Sequence, residues 1–315
     1  MANCWFCYKD AGAAEYHERC SKKFFGTNEA PVLSLDKKLI QELAEQSTNK
    51  RIAVTGVQPK LSVTLEKVKG HGRLTIVGLW GEYILKPQHN NFLFMPETED
   101  LTMHIAALFK IPVCEHTLLR ATDGRLAYIA KRFDRKNGQK IHMEDLCQLS
   151  EFLTENKYKG SYEKAGKLIV KYCKKGIDVL NYFELVVFSY LSGNNDMHLK
   201  NFSVLHKETE IILSPAYDLL NVNLINPKDD EEMALTLNGK KKKLKLLDFI
   251  NLAEILGIPE KAYLNSLKKM SSKNLEVHNL IDSSFLNIDQ KEMYKQIWDK
   301  KQEVFVDLEI TKRLH

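Results

Sequence analysis

Hydrophobic and polar positions follow two different periods along this chain, and the change falls near residue 140. Before that point, short apolar runs bounded by turn residues predict β-strands. We expect a strand, a tight turn and a second strand over residues 51–65, a strand ending at Lys86, and another over Ala127–Phe133. Between them the period becomes helical, which predicts helices over Leu35–Glu45 and residues 96–110.

Helical patterns dominate the second part of the chain. They cover residues 143–192 and 247–312 and flank a stretch with strand character, residues 199–245. A chain of 315 residues that is 44% hydrophobic is long enough to form two lobes. We therefore expect a Cys/His segment, a β-rich lobe and a helical lobe, over residues 1–30, 31–137 and 138–315.

A polar loop after an apolar helical run carries Asp196 and Asn201. The strands predicted next, Phe202–Leu205 and Ile211–Leu213, form a hairpin whose return would bring Asp218 towards Asn201. A carboxylate can orient a hydroxyl, and an amide with a second carboxylate can hold Mg²⁺, which predicts a phosphoryl-transfer site. Turn and cap chemistry explains Asp and Asn in a loop equally well, so the spacing becomes specific only beside a nucleotide site.

Two upstream segments carry residues suited to phosphate contacts. Gly56 lies in a predicted turn whose N–H groups can cover phosphates, and Lys60 follows it. Lys86 ends an apolar strand, which would place its ammonium at the edge of a cleft. A plain hairpin and solvated lysines are the alternatives, and helix-dipole placement explains Glu97 and Glu99 as well as an ion pair with Lys86 does.

The first 26 residues contain Cys4-x-x-Cys7 and His17-x-x-Cys20. Two closely spaced pairs of this kind are typical of a structural zinc site, which would fasten the N-terminal end. The separation of the pairs is shorter than in a typical zinc finger, and Cys-x-x-Cys is also found as a redox pair or as half-buried thiols. These interpretations stay open on the sequence alone.

Composition limits the classes of function. A net charge of +5 and a pI near 8.7 are too weakly basic to argue for nucleic acid. The most basic stretch, Lys240–Lys243, follows the hairpin signal Asn238-Gly239 and is interpreted as a solvated turn. No apolar run approaches 18 residues, no signal-peptide pattern opens the chain, and six cysteines without an export signal favour the cytoplasm. Export by a route without such a signal stays open.

Several motifs, taken in order, resemble the HipA family of serine/threonine kinases, the toxins of bacterial toxin–antitoxin modules. The resemblance runs from about residue 50 to the C-terminal helices. Its motifs are Thr-Gly-Val-Gln-Pro-Lys (55–60), Ile-Leu-Lys-Pro (84–87), Pro-Glu-Thr-Glu-Asp-Leu-Thr-Met (96–103), Lys-Arg-Phe-Asp-Arg (131–135), Glu-Asp-Leu-Cys-Gln (144–148), Asn-Asp-Met-His-Leu-Lys-Asn (195–201), Ala-Tyr-Asp (216–218) and Met-Ala-Leu-Thr-Leu-Asn-Gly-Lys (233–240).

The resemblance implies an α+β, two-lobed protein-kinase-like fold with a small β-rich N-lobe, a mostly helical C-lobe, and ATP and Mg²⁺ in the cleft. Asp196 matches the family's catalytic aspartate, and Asn201 and Asp218 match its Mg²⁺ ligands. The remaining residues match positions that contact ATP: Thr55, Gly56, Val57, Gln58 and Lys60 in the phosphate-covering loop, Lys86 at the phosphates, Lys131 and Phe133 at the adenine, and His198 and Lys200 in the catalytic loop.

Two departures from the family pattern matter. The position of the family's autophosphorylated serine is Ala53 here, which leaves Thr55 as the acceptor; a phosphate there would eject the loop from the nucleotide. The chain also lacks most of the extra N-terminal subdomain of full-length members. It therefore resembles the short, HipT-like branch, which implies a small HipS-like partner and a HipB-like DNA-binding antitoxin.

The resemblance implies a protein substrate, an aminoacyl-tRNA synthetase specific for tryptophan or glutamate, whose phosphorylation stops translation. No membrane contact and no direct nucleic-acid contact are expected. Two other functions stay open: a non-catalytic regulatory subunit of a DNA-bound antitoxin complex, and a small-molecule kinase using the same cleft. Retention of Lys86, Asp196, Asn201 and Asp218 speaks against the first of these.

Overall fold

A computed structural model describes residues 3–33, 60–68, 71–77, 80–136 and 138–309. The predicted helix Leu35–Glu45 and the predicted turn around Gly56 lie outside these residues. Within them the chain separates into two compact units. Unit 1 comprises residues 1–101, 114–132 and 283–286, and unit 2 comprises residues 102–113, 133–282 and 287–315.

The strands and helices are numbered here in chain order. The strands are β1 (Leu61–Val68), β2 (His71–Ile76), β3 (Tyr83–Pro87), β4 (His116–Arg120), β5 (Leu126–Lys131), β6 (Arg135–Lys136), β7 (Gln139–Lys140), β8 (His142–Asp145), β9 (Ser203–His206) and β10 (Ile211–Leu213). The α-helices are α1 (Glu18–Phe25), α2 (Met95–Leu108), α3 (Leu146–Leu149), α4 (Tyr162–Tyr172), α5 (Gly176–Leu191), α6 (Val222–Ile225), α7 (Leu246–Ile255), α8 (Glu260–Ser271), α9 (Asn274–Asp282) and α10 (Ile288–Gln302).

Unit 1 is built on a five-stranded antiparallel sheet in the order β2-β1-β3-β5-β4. Strand β3 is central because its alternating residues are buried on both faces, as its pattern of apolar residues predicts. In its register with β5, Leu85 lies opposite Ile129 and Lys86 lies opposite Tyr128. Leu85 and Ile129 are fully buried in the core of unit 1, which fixes where the neighbouring Lys86 lies.

The N-terminal residues belong to the same core. Trp5, Tyr16, Phe24 and Phe25 are buried in one cluster with Leu85. The rings meet edge to face, with centroids 5.6 Å apart for Trp5 and Tyr16 and 4.7 Å apart for Phe24 and Phe25. The segment is therefore part of the lobe's hydrophobic interior.

Unit 2 is mostly helical and contains a three-stranded antiparallel sheet in the order β10-β9-β8. Helix α5 runs through its core and is apolar on nearly every side, which is the pattern of an internal helix. Trp298 of α10 stacks on Phe109 with ring centroids 5.8 Å apart, and Phe188 of α5 lies beside both. The core of this unit thus surrounds the helix that leads into the polar loop.

Most predicted elements are confirmed within one or two residues, including the hairpin β9–β10 and the helix α2. The strand character expected over residues 199–245 is wrong beyond Leu213. From there to residue 245, all described, the chain forms the short helix α6, turns and irregular structure. Some of its backbone groups pair in local turns, and others pair with distant segments, as the N–H of Ala216 does with the carbonyl of Pro112. The Asn238-Gly239 turn is confirmed, since both residues have positive φ and Leu237 pairs with Lys240.

The lysines of that turn take part in ion pairs at the surface. Lys240, Lys241 and Lys242 each form an ion pair, with Asp248, Glu231 and Asp230 respectively.

Among the described helices, none is both long and apolar enough to cross a bilayer.

Candidate active site

Lys86 and Glu99 form a buried ion pair in unit 1. Lys86 is the next-to-last residue of strand β3 and is 4% exposed. Its Nζ donates to Oε1 of Glu99 in the first turns of α2, at 2.5 Å. The ammonium also lies over the ring of Tyr128, 5.3 Å from its centroid. A buried lysine persists only where its charge is compensated, so the pair fixes both side chains.

Glu97 has a different role from Glu99, although the sequence offers either as the partner of Lys86. Burial raises the pKa of Glu97 to about 7, and its Oε2 has no hydrogen-bond partner among the described residues. Residues two apart on a helix face different directions, which is why only one of the two glutamates reaches the lysine.

The loop with Asp196 begins at a left-handed residue. Helix α5 ends at Leu191, and Gly193 follows with φ 68°. A Cβ at Gly193 would lie 2.7 Å from Oδ1 of Asn221, so the loop can leave the helix this way only without a side chain. Tyr162 then stabilises the loop, because its hydroxyl donates a hydrogen bond to the carbonyl of Met197 at 3.0 Å.

Asp196 is half-buried at the top of this loop. Its Oδ1 accepts a hydrogen bond of 2.5 Å from the hydroxyl of Tyr158. Burial, and next the charge of Asp196, raise the pKa of Tyr158, so that its hydroxyl stays protonated and remains a donor. The carboxylate is thus already oriented towards a hydroxyl group, which is the contact a general base requires.

Asn201 lies at the end of the short 3₁₀ helix Leu199–Asn201 and is 7% exposed. Its Nδ2 donates to the carbonyl of Asp196 at 3.0 Å, which turns the amide so that Oδ1 is left over. An amide oxygen is a suitable ligand for Mg²⁺. Asp218, in left-handed conformation with φ 56°, follows Tyr217, whose hydroxyl donates to the carbonyl of Lys200 at 2.8 Å. The residue before Asp218 thus contacts the residue before Asn201. Both side chains offer oxygen atoms of the kind that Mg²⁺ prefers, and their role as its ligands stays a prediction.

His198 is buried in the same loop. Burial lowers its pKa to about 4, against the opposing influence of the charges of Asp196 and Asp218, so that the ring is neutral at pH 7. Its Nδ1 has no hydrogen-bond partner among the described residues. A buried polar atom in this state can accept a ligand.

Lys200 points at a carboxylate. Its Nζ donates to Oδ2 of Asp145 at 2.7 Å, and Asp145 also caps helix α3 through the N–H of Gln148. The pair is only partly buried, with Lys200 34% exposed. It ties the loop to the edge of the three-stranded sheet.

The predicted adenine contacts fall on either side of a unit boundary. Lys131 is the last residue of β5 in unit 1, exposed and 3.5 Å from Glu115. Phe133 belongs to unit 2, where its ring lies 5.6 Å from that of Tyr217. Lys60 is exposed at the start of β1. Thr55, Gly56, Val57 and Gln58 lie outside the described residues.

The structure also brings Cys4, Cys7, His17 and Cys20 together. Their ligand atoms lie within 4.8 Å of one another in unit 1. All six cysteines are free thiols, and Cys114, Cys147 and Cys173 lie elsewhere.

Sequence reasoning missed the residues that orient the loop. Tyr158 precedes Asp196 by 38 residues in an irregular segment, and no local pattern indicates it. Asp145 could have been predicted from the sequence, since Asp-x-x-Gln is the pattern of a capping box at the start of a helix. Tyr217 is marked only by its place beside Asp218.

Comparison with known proteins gives a consistent result. Solved structures that resemble this chain include a complex of HipA, HipB and operator DNA from Shewanella oneidensis, with a TM-score of 0.68, 20% identity, and coverage of 87% of this chain and 72% of that one. The proinflammatory kinase CtkA from Helicobacter pylori matches with a TM-score of 0.55, 17% identity and coverage of 81% and 97%. The α+β, two-lobed kinase-like fold is therefore confirmed.

Residues 52–277 match the family described as the HipA-like C-terminal domain, and the chain belongs to this family. Among its relatives, the protein Y4dM of Sinorhizobium fredii is 32% identical over 70% of this chain and 57% of its own length. The serine/threonine-protein kinase toxin HipA of Shewanella oneidensis is 24% identical over 71% and 55%. The chain thus spans about half the length of the curated relatives it matches.

Proposed function

We propose that this chain is an ATP-dependent serine/threonine protein kinase that acts as the toxin of a toxin–antitoxin module. The observation that carries the proposal is the buried pair of Lys86 and Glu99, because protein kinases use a strand lysine and a helix glutamate in this way at the nucleotide phosphates. The kinase names of its relatives agree with this.

The loop residues of unit 2 supply the other parts of the proposed chemistry. Asp196 would accept the proton of the substrate hydroxyl, in the place where the Tyr158 hydroxyl lies now. Asn201 and Asp218 would hold Mg²⁺, and His198 would contact the nucleotide through Nδ1. When bound, ATP supplies the phosphoryl group and Mg²⁺ neutralises its charge.

Phosphoryl transfer is tested with radiolabelled ATP in a cytosolic extract, comparing the wild type with Asp196→Gln. We expect a labelled protein band with the wild type and a loss of at least about a hundredfold in the variant. Expression of the wild type and of Asp196→Gln in cells distinguishes the kinase toxin from a non-catalytic regulatory subunit. Equal growth arrest by both proteins would show that toxicity does not need kinase activity, and it would favour the regulatory subunit.

The proposed substrate is an aminoacyl-tRNA synthetase specific for tryptophan or glutamate, phosphorylated on a serine. Support comes from the family resemblance and from the kinase-toxin name of the Shewanella relative. Each purified synthetase is incubated with the kinase and ATP, and its aminoacylation rate is measured. Full charging activity of both after incubation would reject this substrate class.

Thr55 is the proposed autophosphorylation site. Peptide mapping after incubation with Mg-ATP tests this, with Thr55→Ala as the matched variant. Phosphate found only at other residues would reject the assignment.

The proposed partners are a HipB-like DNA-binding antitoxin and a small HipS-like protein. The Shewanella HipA structure includes HipB and operator DNA, which supports the first partner. Co-purification from cells that express the neighbouring open reading frames tests both, and a toxin that purifies alone and is not neutralised would contradict them.

A further inference from the structure

The N-terminal residues hold a group of side chains that the kinase chemistry does not use. Nδ1 of His17 lies 3.4 Å from Sγ of Cys7 and 3.7 Å from Sγ of Cys20, and Cys4 completes the group within 4.8 Å. Ligands of a tetrahedral zinc ion stand about 3.6 Å apart for nitrogen and sulfur, given the usual Zn–S and Zn–N lengths. The observed separations fit that geometry.

Backbone structure places these ligands before any metal arrives. Cys4 and Cys7 lie on a tight turn that ends at Tyr8 with φ 59°, and His17 and Cys20 lie at the start of α1.

The histidine is oriented for ligation as well. Nε2 of His17 lies 2.9 Å from the carbonyl oxygen of Asp10, so it carries the proton and donates. This tautomer leaves the lone pair of Nδ1 directed at the sulfurs, as in zinc sites where a carbonyl holds the second nitrogen. A disulfide would use only two of the three sulfurs and give His17 no role.

The same segment reaches helix α2. The hydroxyl of Tyr8 donates to Oδ2 of Asp100 at 2.8 Å, and Oδ1 of Asp100 pairs with Nδ1 of His116 at 2.7 Å. Asp100 is fully buried and directly follows Glu99, the partner of Lys86. Tyr8 directly follows Cys7, so the contact with the helix is made by the residue next to one of the four side chains of the group.

We propose that residues 3–33 form a Cys₃His zinc module that holds α2 through Tyr8 and Asp100 and thereby positions Glu99 for Lys86. The zinc site stands independently of the proposed kinase function, whereas the positioning role rests on it. Tyr8 is a positioning residue because it acts through Asp100 and Glu99.

The zinc site is tested by elemental analysis of the full chain purified without added metal. We expect one zinc per chain in the wild type and in Cys173→Ser, whose thiol lies in unit 2, and almost none in Cys7→Ser and Cys20→Ser. If these variants fail to fold, titration of the folded wild type with a mercurial reagent should release the zinc in step with three thiols. A wild type without zinc, or release unrelated to thiol modification, would overturn the site.

The positioning role is tested with Tyr8→Phe, which removes one hydroxyl and no ligand. We expect full zinc content and an affinity for Mg-ATP weakened about fivefold to tenfold by calorimetry, as for loss of one buried hydrogen bond. Unchanged affinity with full zinc would overturn the positioning role. If the wild type holds zinc but binds no ATP, the zinc site stands, and the positioning role falls with the proposed function.

Discussion

At the scale of single residues, the site depends on charges that are buried with their partners. Lys86 and Glu99 are 4% and 2% exposed, and neither would persist as a lone ion in this environment. Glu97 shows the contrast on the same helix, because no such partner is found for it in the part of the chain that the structure describes, and its pKa rises to about 7 instead.

Neutralising Glu99 should therefore be costly and neutralising Glu97 should not. Glu99→Gln leaves the ammonium of Lys86 buried without its counter-charge, and we expect a loss of about 3 kcal/mol in the free energy of unfolding. Glu97→Gln, two residues away, should change it by less than about 1 kcal/mol at pH 7. Urea denaturation measures both, and equal effects would contradict the distinction.

His198 predicts a dependence of stability on pH. Its pKa is about 4 in the folded protein against 6.5 for the free ring, so the unfolded chain takes up the proton first as pH falls. Stability is then full above about pH 6.5 and decreases down to about pH 4. At pH 5 the loss should reach about 2 kcal/mol. His198→Asn should lack this part of the decrease; parallel curves for both proteins would contradict it.

Single residues also show where sequence reasoning stops. The motifs indicate Asp196, Asn201 and Asp218, because the spacing of acids and amides in a loop is visible in the sequence. The choice between Glu97 and Glu99 depends on the rotation of a helix against a strand. Tyr158 is fixed only by tertiary packing, so no local pattern contains it.

At the scale of elements, helix α5 and the loop after it together determine where Asp196 lies. The helix is held by the core on nearly all sides, and Gly193 turns the chain out of it beside Asn221. The position of Asp196 thus depends on a helix end that is buried in unit 2.

Gly193→Ala should disturb the loop. Alanine is strained at φ 68°, and its Cβ would approach Oδ1 of Asn221 to 2.7 Å, so we expect a loss of about 1–3 kcal/mol and lower phosphoryl transfer. Gly176→Ala, at the start of the same helix, is the matched control, because no atom of the described residues lies within 4 Å of a Cβ there. Thermal unfolding and the transfer assay should separate the two; a harmless Gly193→Ala would show that the loop adapts.

Elements with a clear period are predictable from this sequence. Strands β3, β5, β9 and β10 and helix α2 follow from apolar runs and turn residues, because these patterns act locally. The expectation of strands beyond Leu213 fails because no regular element buries the apolar residues there. Met233, Ala234 and Leu235 are buried in an irregular segment, and an irregular segment has no hydrophobic period from which its structure could be predicted.

At the scale of the whole molecule, the N-terminal residues are part of the core of unit 1. Trp5→Ala should therefore lower the free energy of unfolding by about 3–5 kcal/mol, since the ring is 3% exposed among Tyr16, Phe285 and other core residues. Trp80→Ala, with the ring 72% exposed, should change it by less than about 0.5 kcal/mol. Guanidinium denaturation followed by far-ultraviolet circular dichroism compares them, and similar midpoints would contradict this account.

The division into units is less visible in the sequence than the elements are. A change of period near residue 140 indicates two lobes, and the chain does form two compact units. Residues 102–113 and 283–286 nevertheless belong to the unit opposite to their sequence neighbours. Only long-range packing decides this, for example the contacts of Phe285 with Trp5 and Tyr8.

The way the chain alternates between its units has a practical consequence. It passes from one to the other at residues 101, 113, 132, 282 and 286, so each unit is assembled from separate stretches of polypeptide. No single cut can release either unit intact, and a plasmid encoding one contiguous half would yield a fragment with a gap in its interior. If the chain were divided into two inactive pieces, these pieces would therefore have to meet and refold before any activity returned.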